Sequence, residues 1–295
     1  MVREIYHFVV FILCLSVFIS GITTIRAKDK SFLYAESSLD TSDIQELAKD
    51  SSYSKSFLDS MKSLFFLDFG KTESGENVSS HIGKKIFPTL QLSIFAILFG
   101  SITSITAALS CVYLEIQILE NSLLFLSRLI LSTPIFVVSI LLFLFFFLYL
   151  GILPPGGYEA GNILYLILPG IALGSRVFAR IFYISLDEGK KEKDSDYFFF
   201  LQTRGFSRAR IVFYYIFRKI FPLVLIFILI DFSSLLSGSI LVEEIFFFPG
   251  IGKSLYYAVK SLDENLLRAL LFYSGIVFYI LTRTAKKLQF KLSME

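Results

Sequence analysis

The feature that most restricts the folds open to this chain is a series of about six apolar runs. Each is close to the roughly 20 residues that a helix needs to cross a hydrocarbon core. They read Tyr6 to Ile25, Thr89 to Leu114, Leu123 to Leu150, Ile163 to Leu186, Ile211 to Leu241 and Leu266 to Leu281, with charges gathered mainly at their ends. Composition agrees. Hydrophobic residues make up 55% of the 295 positions and charged ones only 18%, with a mean hydropathy of +0.68, too little polar surface to cover a soluble domain. The expected fold class is an all-α integral membrane protein with about six transmembrane helices.

Other classes recede on the same numbers. A net charge of +3, with no stripe of Lys and Arg interleaved with aromatics outside the connecting loops, makes nucleic acid an unexpected partner. Cys14 and Cys111 lie inside apolar runs, where they act as small hydrophobes, and neither has a neighbour at metal-ligand spacing. With no Trp and 34 Phe, anchoring at the bilayer interface falls to Tyr, Lys and Arg.

The runs divide the chain. Residues 1–25 read as a first transmembrane helix and uncleaved signal anchor, because the Arg26-Ala27-Lys28 exit lacks a small-residue cleavage pattern. Residues 26–87 form an external polar segment. There Ser42 and Gln45 have capping-box spacing, and Ile44, Leu47, Phe57, Leu58, Met61, Leu64 and Phe65 predict amphipathic helix. A transmembrane region of five helices follows over 88–284, with a tail over 285–295.

Basic residues set the orientation. Lys190, Lys191, Lys193, Arg204, Arg208, Arg210, Arg218 and Lys219 share one connection, and Arg283, Lys286, Lys287 and Lys291 sit in the tail. Both are therefore expected in the cytoplasm. The connections from Gly151 to Asn162, without Lys or Arg, and from Phe246 to Asn265, with only Lys253 and Lys260, are expected outside. An even number of spans then puts both termini in the cytoplasm. The loop Glu115 to Asn121 departs from the rule, since it should be cytoplasmic yet carries Glu115 and Glu120 with no Lys or Arg.

The basic connection, about 187–221, is the most informative segment. It reads Asp196-Tyr197-Phe198-Phe199-Phe200-Leu201-Gln202-Thr203-Arg204-Gly205-Phe206-Ser207, then a basic helix from Arg208 to Lys219, then Pro222. A mid-loop glycine permits a sharp turn between two short helices, and Pro222 is expected near the start of the next span. The result is a helical protrusion; an ordinary basic loop has the same composition.

This segment resembles the coupling loop of importer permeases, whose pattern is E-A-A, three residues, Gly, nine residues, Ile, one residue, Leu-Pro. Gly205 stands for the pattern's glycine and Pro222 for its closing proline, four residues beyond the pattern's spacing, and Leu201-Gln202-Thr203 is read as the degraded E-A-A portion, one residue before the glycine where the pattern has three. Further pieces are similar to permeases of the oligopeptide/dipeptide type, in order along the chain: Leu67-Asp68-Phe69-Gly70-Lys71 with Ile86-Phe87-Pro88-Thr89-Leu90; Ser132-Thr133-Pro134-Ile135-Phe136; Gly151-Ile152-Leu153-Pro154-Pro155-Gly156-Gly157-Tyr158; Leu168-Pro169; and Val242-Glu243-Glu244-Ile245-Phe246-Phe247-Phe248-Pro249-Gly250-Ile251-Gly252. The resemblance runs from about Leu67 to the carboxyl terminus. A Pro-Gly-Asp-Pro element that the family carries after its first span has no counterpart between Arg26 and Lys62, and Gly189 to Ser195 is a few residues longer than usual.

The resemblance implies a type I ABC importer permease fold in the inner membrane, forming half of a pathway for peptides or a similar small solute. It implies as partners a second, related permease subunit, two ATPase subunits and an external solute-binding protein. No cofactor is implied on this chain, ATP being bound by the ATPase subunits. Asp196, Tyr197, Leu201, Thr203, Gly205, Ser207 and Pro222 become the ATPase-coupling residues, and Glu243, Pro249 and Gly250 belong to an outer loop that Glu243 is expected to brace.

Arg176 and Asp231 fall inside the predicted spans, and intramembrane ionisable residues are functional candidates. At about 1.5 Å per residue both lie roughly 16 to 18 Å from the basic ends of their helices, so an ion pair between them, or a position facing the solute pathway, is expected, the plainer reading being that each faces a wet cavity. Arg180, nearer the basic end, is expected to snorkel. The Gly-Lys-Ser at Gly252-Lys253-Ser254 lacks the earlier glycine of a phosphate loop, since Phe247 stands there, and Asp68-Phe69-Gly70 lacks the companion motifs of a kinase. A secondary transporter or channel remains the alternative, although no clear internal repeat is visible. An intramembrane hydrolase is disfavoured, because His7 lies at the start of the first run, His81 in the outer segment, and Asp231 has no second buried Asp.

Overall fold

The computed structural model describes residues 2–36, 57, 61–64, 66–154 and 156–292. Of the residues expected to form amphipathic helix, Phe57, Met61 and Leu64 are helical and Leu64 is buried, while Ser42, Ile44, Gln45, Leu47, Leu58 and Phe65 lie outside the described residues, as does Pro155.

The apolar runs become helices, but their limits move. The first, α1 (Val2–Glu36), carries its most apolar window at Tyr6–Thr23 and continues through Arg26, because no Gly or Pro interrupts Ala27 to Glu36. The second, α2 (Val78–Leu114), begins ahead of the expected Thr89 and passes through Pro88, whose missing N–H leaves the Lys84 carbonyl without its helical donor. The third run is a correction to the expected single span. It divides into α3 (Gln117–Ser132) and α4 (Ile135–Tyr149), which meet at 108°, because Pro134 disfavours helical backbone at Thr133 and cannot itself donate. The far half of α4, Leu144–Tyr149, is π-helical.

The fourth run is α5 (Leu164–Lys193), extended to its lysine-rich end. A short helix, α6 (Asp196–Thr203), then precedes α7 (Arg208–Leu236), which is π-helical over Ile211–Ile216. Two further expectations are corrected here. Pro222 lies inside α7 and not at its start, and the run ends at Leu236, where Gly238 turns at φ +106° before a separate short helix, α8 (Ile240–Ile245). The chain closes with α9 (Ile251–Lys260) and α10 (Glu264–Leu292). Among the described residues, five helices are long and apolar enough to cross a membrane, and the bent α3–α4 pair, taken as one span, is the sixth.

The residues cluster into two compact units. One comprises Met1–Ile86 and Ser254–Val277. Its core joins Ile19 of α1, Leu64 and Phe272 of α10, with Ile12, Leu15 and Ile276 alongside. A polar turn closes it, where Glu76 takes hydrogen bonds from Lys84 and His81 that hold its carboxyl down at about 2, while the Glu73 N–H donates to Asp263 Oδ2 at 2.8 Å.

The second unit comprises Phe87–Lys253 and Phe278–Glu295 and carries the candidate site. Its larger core packs Ala108, Leu109 and Val112 of α2 against Ile181, Phe182 and Leu186 of α5 and Ile211, Val212, Ile216 and Ile220 of α7. A second core joins Leu92 and Ala96 of α2 to Leu168 and Ala172 of α5 and to Val242, Phe246 and Phe248 around α8. Small residues let α2 and α5 approach closely: a methyl on Gly100 would lie 2.6 Å from the Gly174 carbonyl oxygen.

Candidate functional site

The α6 hairpin is built by its capping residues. Ser195 sits at the N-cap with extended backbone, and its hydroxyl accepts the Phe198 N–H at 3.4 Å, while Asp196 adds an acid to the first turn. At the other end Gly205 takes φ +81°. There the Phe206 N–H reaches the Leu201 carbonyl at 3.3 Å and the Gly205 N–H the Gln202 carbonyl at 2.9 Å, the paired bonds of a Schellman termination. Ser207 then caps α7 through the Arg210 N–H at 3.4 Å. Thr203 is exposed and donates back to the Phe200 carbonyl at 2.8 Å.

The hairpin is two-faced. Phe198 and Leu201 are buried in the larger core, whereas Tyr197, Phe199 and Phe200 are exposed, Phe199 by 68%. Cations flank this apolar face: the Arg204 guanidinium lies 4.5 Å from the Phe200 ring centre and the Lys219 ammonium 5.3 Å from that of Tyr197. Pro222, inside α7, lies three turns beyond Arg210, apart from the hairpin turn. The exposed aromatics were within the segment singled out by sequence, but which of them point outward is decided by the core that claims Phe198 and Leu201.

At the base of the hairpin the unexpected acids of the α2–α3 connection find their partners. Glu115 pairs with Lys193 and Arg208, Glu120 with Lys190, and Glu192 with Lys219. Hydrogen bonding from Lys193, with Arg208 adding to it, holds the Glu115 carboxyl below its ordinary range. These acids tie the ends of α2 and α3 to α5 and α7 around a cavity of about 230 Å³, lined by Cys111, Val112, Glu115, Gln117, Glu120, Lys190 and Lys193. Their place opposite a basic segment was the missing signal in a residue count that scored only Lys and Arg.

Within the helices the expected Arg176–Asp231 pair does not form. Asp231 pairs with Arg180, one turn along the same face of α5, so Arg180 turns toward Asp231 instead of reaching for the basic end. Arg176 Nη2 donates at 3.2 Å to the Thr133 carbonyl, at the break between α3 and α4. The helical period set both arginines on one face; the packing of α7 chose between them.

At the other end of this unit Glu243 is fully buried, and it caps α9 from a distance. Its Oε2 accepts the Lys253 N–H at 2.9 Å and its Oε1 the Thr89 hydroxyl at 3.3 Å, while Thr89 Oγ1 accepts the Ile251 N–H at 2.8 Å. A methyl at Gly250 would lie 2.3 Å from Glu243 Oε2, so only glycine fits beside the carboxylate, and Pro249 stands half-buried before it. Burial pushes the Glu243 carboxyl up to about 7, against the opposing pull of these hydrogen bonds.

Comparison with known proteins accords with this arrangement. The chain is 26% identical over 222 residues to a peptide transport system permease protein of Brucella abortus, covering 73% of this chain and 71% of that one. It is 26% identical over 205 residues to the oligopeptide transport system permease protein OppB of Haemophilus influenzae, with 69% and 67% covered. The OppB of Mycobacterium tuberculosis is 25% identical over 230 residues, with 71% and 70% covered. The family model for the binding-protein-dependent transport system inner membrane component matches residues 96–286, which hold α5, the capped hairpin and α7. This chain therefore belongs to that family and is a multi-pass inner-membrane permease of an ABC importer with the type I importer fold.

Proposed function

We propose that the chain forms half of an ATP-driven import pathway for peptides or a similar small solute, and that the α6 hairpin couples it to a separate ATPase. The observation that carries this reading is the two-faced hairpin. Its inner face is locked into the core shared by α2, α5 and α7, and its outer face offers exposed Phe199 and Phe200 between cations. An apolar knob with a cationic margin fits a cleft on a cytoplasmic subunit, and its rigid base passes the cleft's closing motion to α5 and α7 as levers.

The hairpin and both termini then lie in the cytoplasm, with α8, α9 and the 151–162 connection outside. The partners are a second, related permease subunit, two ATPase subunits and an external solute-binding protein. ATP is bound and hydrolysed on the ATPase subunits, this chain carrying no cofactor. Peptide as the solute is supported by the names of the relatives above.

Affinity purification of the tagged permease with its ATPase tests the reading. Phe199→Asp and Gly205→Trp, each on a permease that still reaches the membrane, are expected to remove the ATPase from the purified complex. Retention of a full ATPase complement by both would overturn it.

A further inference from the structure

Arg180 lies at membrane depth with its side chain 44% exposed. Along α5 it is ten residues from Lys190, or about 15 Å, which is half of a hydrocarbon core of roughly 30 Å. A guanidinium left there against lipid is costly, so its exposed side faces protein or water.

A separate observation points to the same place. The break between α3 and α4 leaves Ser132 and Pro134 exposed, and irregular backbone at this depth is tolerated only against protein or a water-filled cavity. The bond from Arg176 to the Thr133 carbonyl puts that break beside the cluster. From there an exposed face continues along α5 through Arg180, Tyr183 and Asp187, at the spacing of one helical face, down to the lysine-rich end. A strip exposed in the isolated chain thus leads from the cluster to one end of the helix.

The cluster is also electrostatically incomplete. Asp231 pairs with Arg180, while Arg176 donates to the Thr133 carbonyl and has no carboxylate partner among the described residues. Arg176 Nε is buried without a hydrogen-bond partner among the described residues. A guanidinium presents five N–H donors in a planar fork that matches a carboxylate, and Asp231 Oδ1 engages Arg180 through Nη1, so the exposed side can take a second acid.

We propose that Arg180, oriented by Asp231 and backed by Arg176, lines the translocation pathway and holds a carboxylate of the passing solute. The inference rests on the permease reading above and adds a chemical class: solutes with a free carboxylate, such as a peptide's carboxyl terminus. Asp231 fixes the guanidinium and tempers its charge, so that the incoming acid is held and then released. An acid of the second permease subunit could supply the same chemistry as a permanent partner, and the experiment separates the two sources.

The complete transporter, reconstituted in vesicles with its binding protein, is assayed for ATP-driven uptake of tetra-alanine and of its carboxyl-terminal amide. Comparing the acid-to-amide uptake ratio of each variant with that of the wild type removes the binding protein's own preference. In Arg180→Gln this ratio is expected to fall about tenfold. It should stay low in Arg180→Gln/Asp231→Asn, where the Asp231 carboxylate is not left without its cation. An unchanged ratio with equal loss of both peptides would assign Arg180 to a structural pair or to the partner subunit, and would overturn the proposal. Recovery of the wild-type ratio in the double variant would do the same. A wild-type transporter that carries neither peptide would instead sink the peptide reading, and this inference with it.

Discussion

Gly205 occupies φ +81°, where a side chain with a Cβ costs about 1–2 kcal/mol and a branched one the upper part of that range. Gly205→Val is therefore expected to speed hydrogen exchange at the amides of α6, with Gly205→Asn affected less, because asparagine tolerates the left-handed region. Glu243 makes a second residue-scale prediction, in pH. Its carboxyl is raised from 4.5 to about 7, so between those values the folded state holds a proton that the unfolded chain has released. This contribution is complete below pH 4.5 and is lost as pH rises through about 7. The thermal midpoint of the purified permease should fall across that window by the equivalent of at most about 3 kcal/mol, and Glu243→Gln should flatten the profile.

Among the elements, the hairpin sets a core residue beside one left free for the proposed ATPase contact. Phe198 is buried in the core and Phe199 is exposed one residue on. Phe198→Ala should lower stability by about 3–4 kcal/mol, seen as loss of folded protein after detergent extraction. Phe199→Ala should leave stability within about 0.5 kcal/mol of the wild type while reducing uptake and ATPase co-purification. Ser195→Ala removes the N-cap of α6 at a cost of about 1 kcal/mol, and its exchange effect should be confined to that helix. The turn of this hairpin was legible in sequence at Gly205, because cap chemistry is local, whereas the Ser195 cap that starts its eight-residue helix emerged from the structure. Pro222 was misplaced for an equally local reason. Proline favours the first turn of a helix but does not require it, and the neighbours of α7 carry the helix past the missing bond.

For the whole molecule, the membrane topology is the decisive property. Single cysteines placed at Ser207 and at Glu159, in a chain with Cys14 and Cys111 replaced, are expected to react with a membrane-impermeant maleimide from opposite sides: Ser207 only in inverted vesicles and Glu159 in intact cells. Reaction of Ser207 in intact cells would reverse the assignment. The acids at Glu115 and Glu120 bear on the same point. They pair with Lys190, Lys193 and Arg208, so the α2–α3 connection lies on the side of the basic hairpin despite having no positive charge of its own. Such half-exposed pairs add little to stability, and their larger effect is to fix which helix ends meet.

Length, apolarity and the placement of Lys and Arg along the chain were enough to establish a helical membrane protein, because lipid admits few ways to satisfy a backbone and charge asymmetry needs no tertiary contact. The sequence also located the hairpin and the glycine at its turn, since caps act over three or four residues. Tertiary packing decided the rest. Whether Arg176 or Arg180 meets Asp231, which aromatics of α6 remain outside, and that Glu243 caps a helix beginning eight residues later all depend on how separate helices face one another. The 108° break at Thr133–Pro134 belongs there too: a proline marks where a helix is weak, but the neighbouring helices determine whether it bends through or, as at Pro88 and Pro222, runs on.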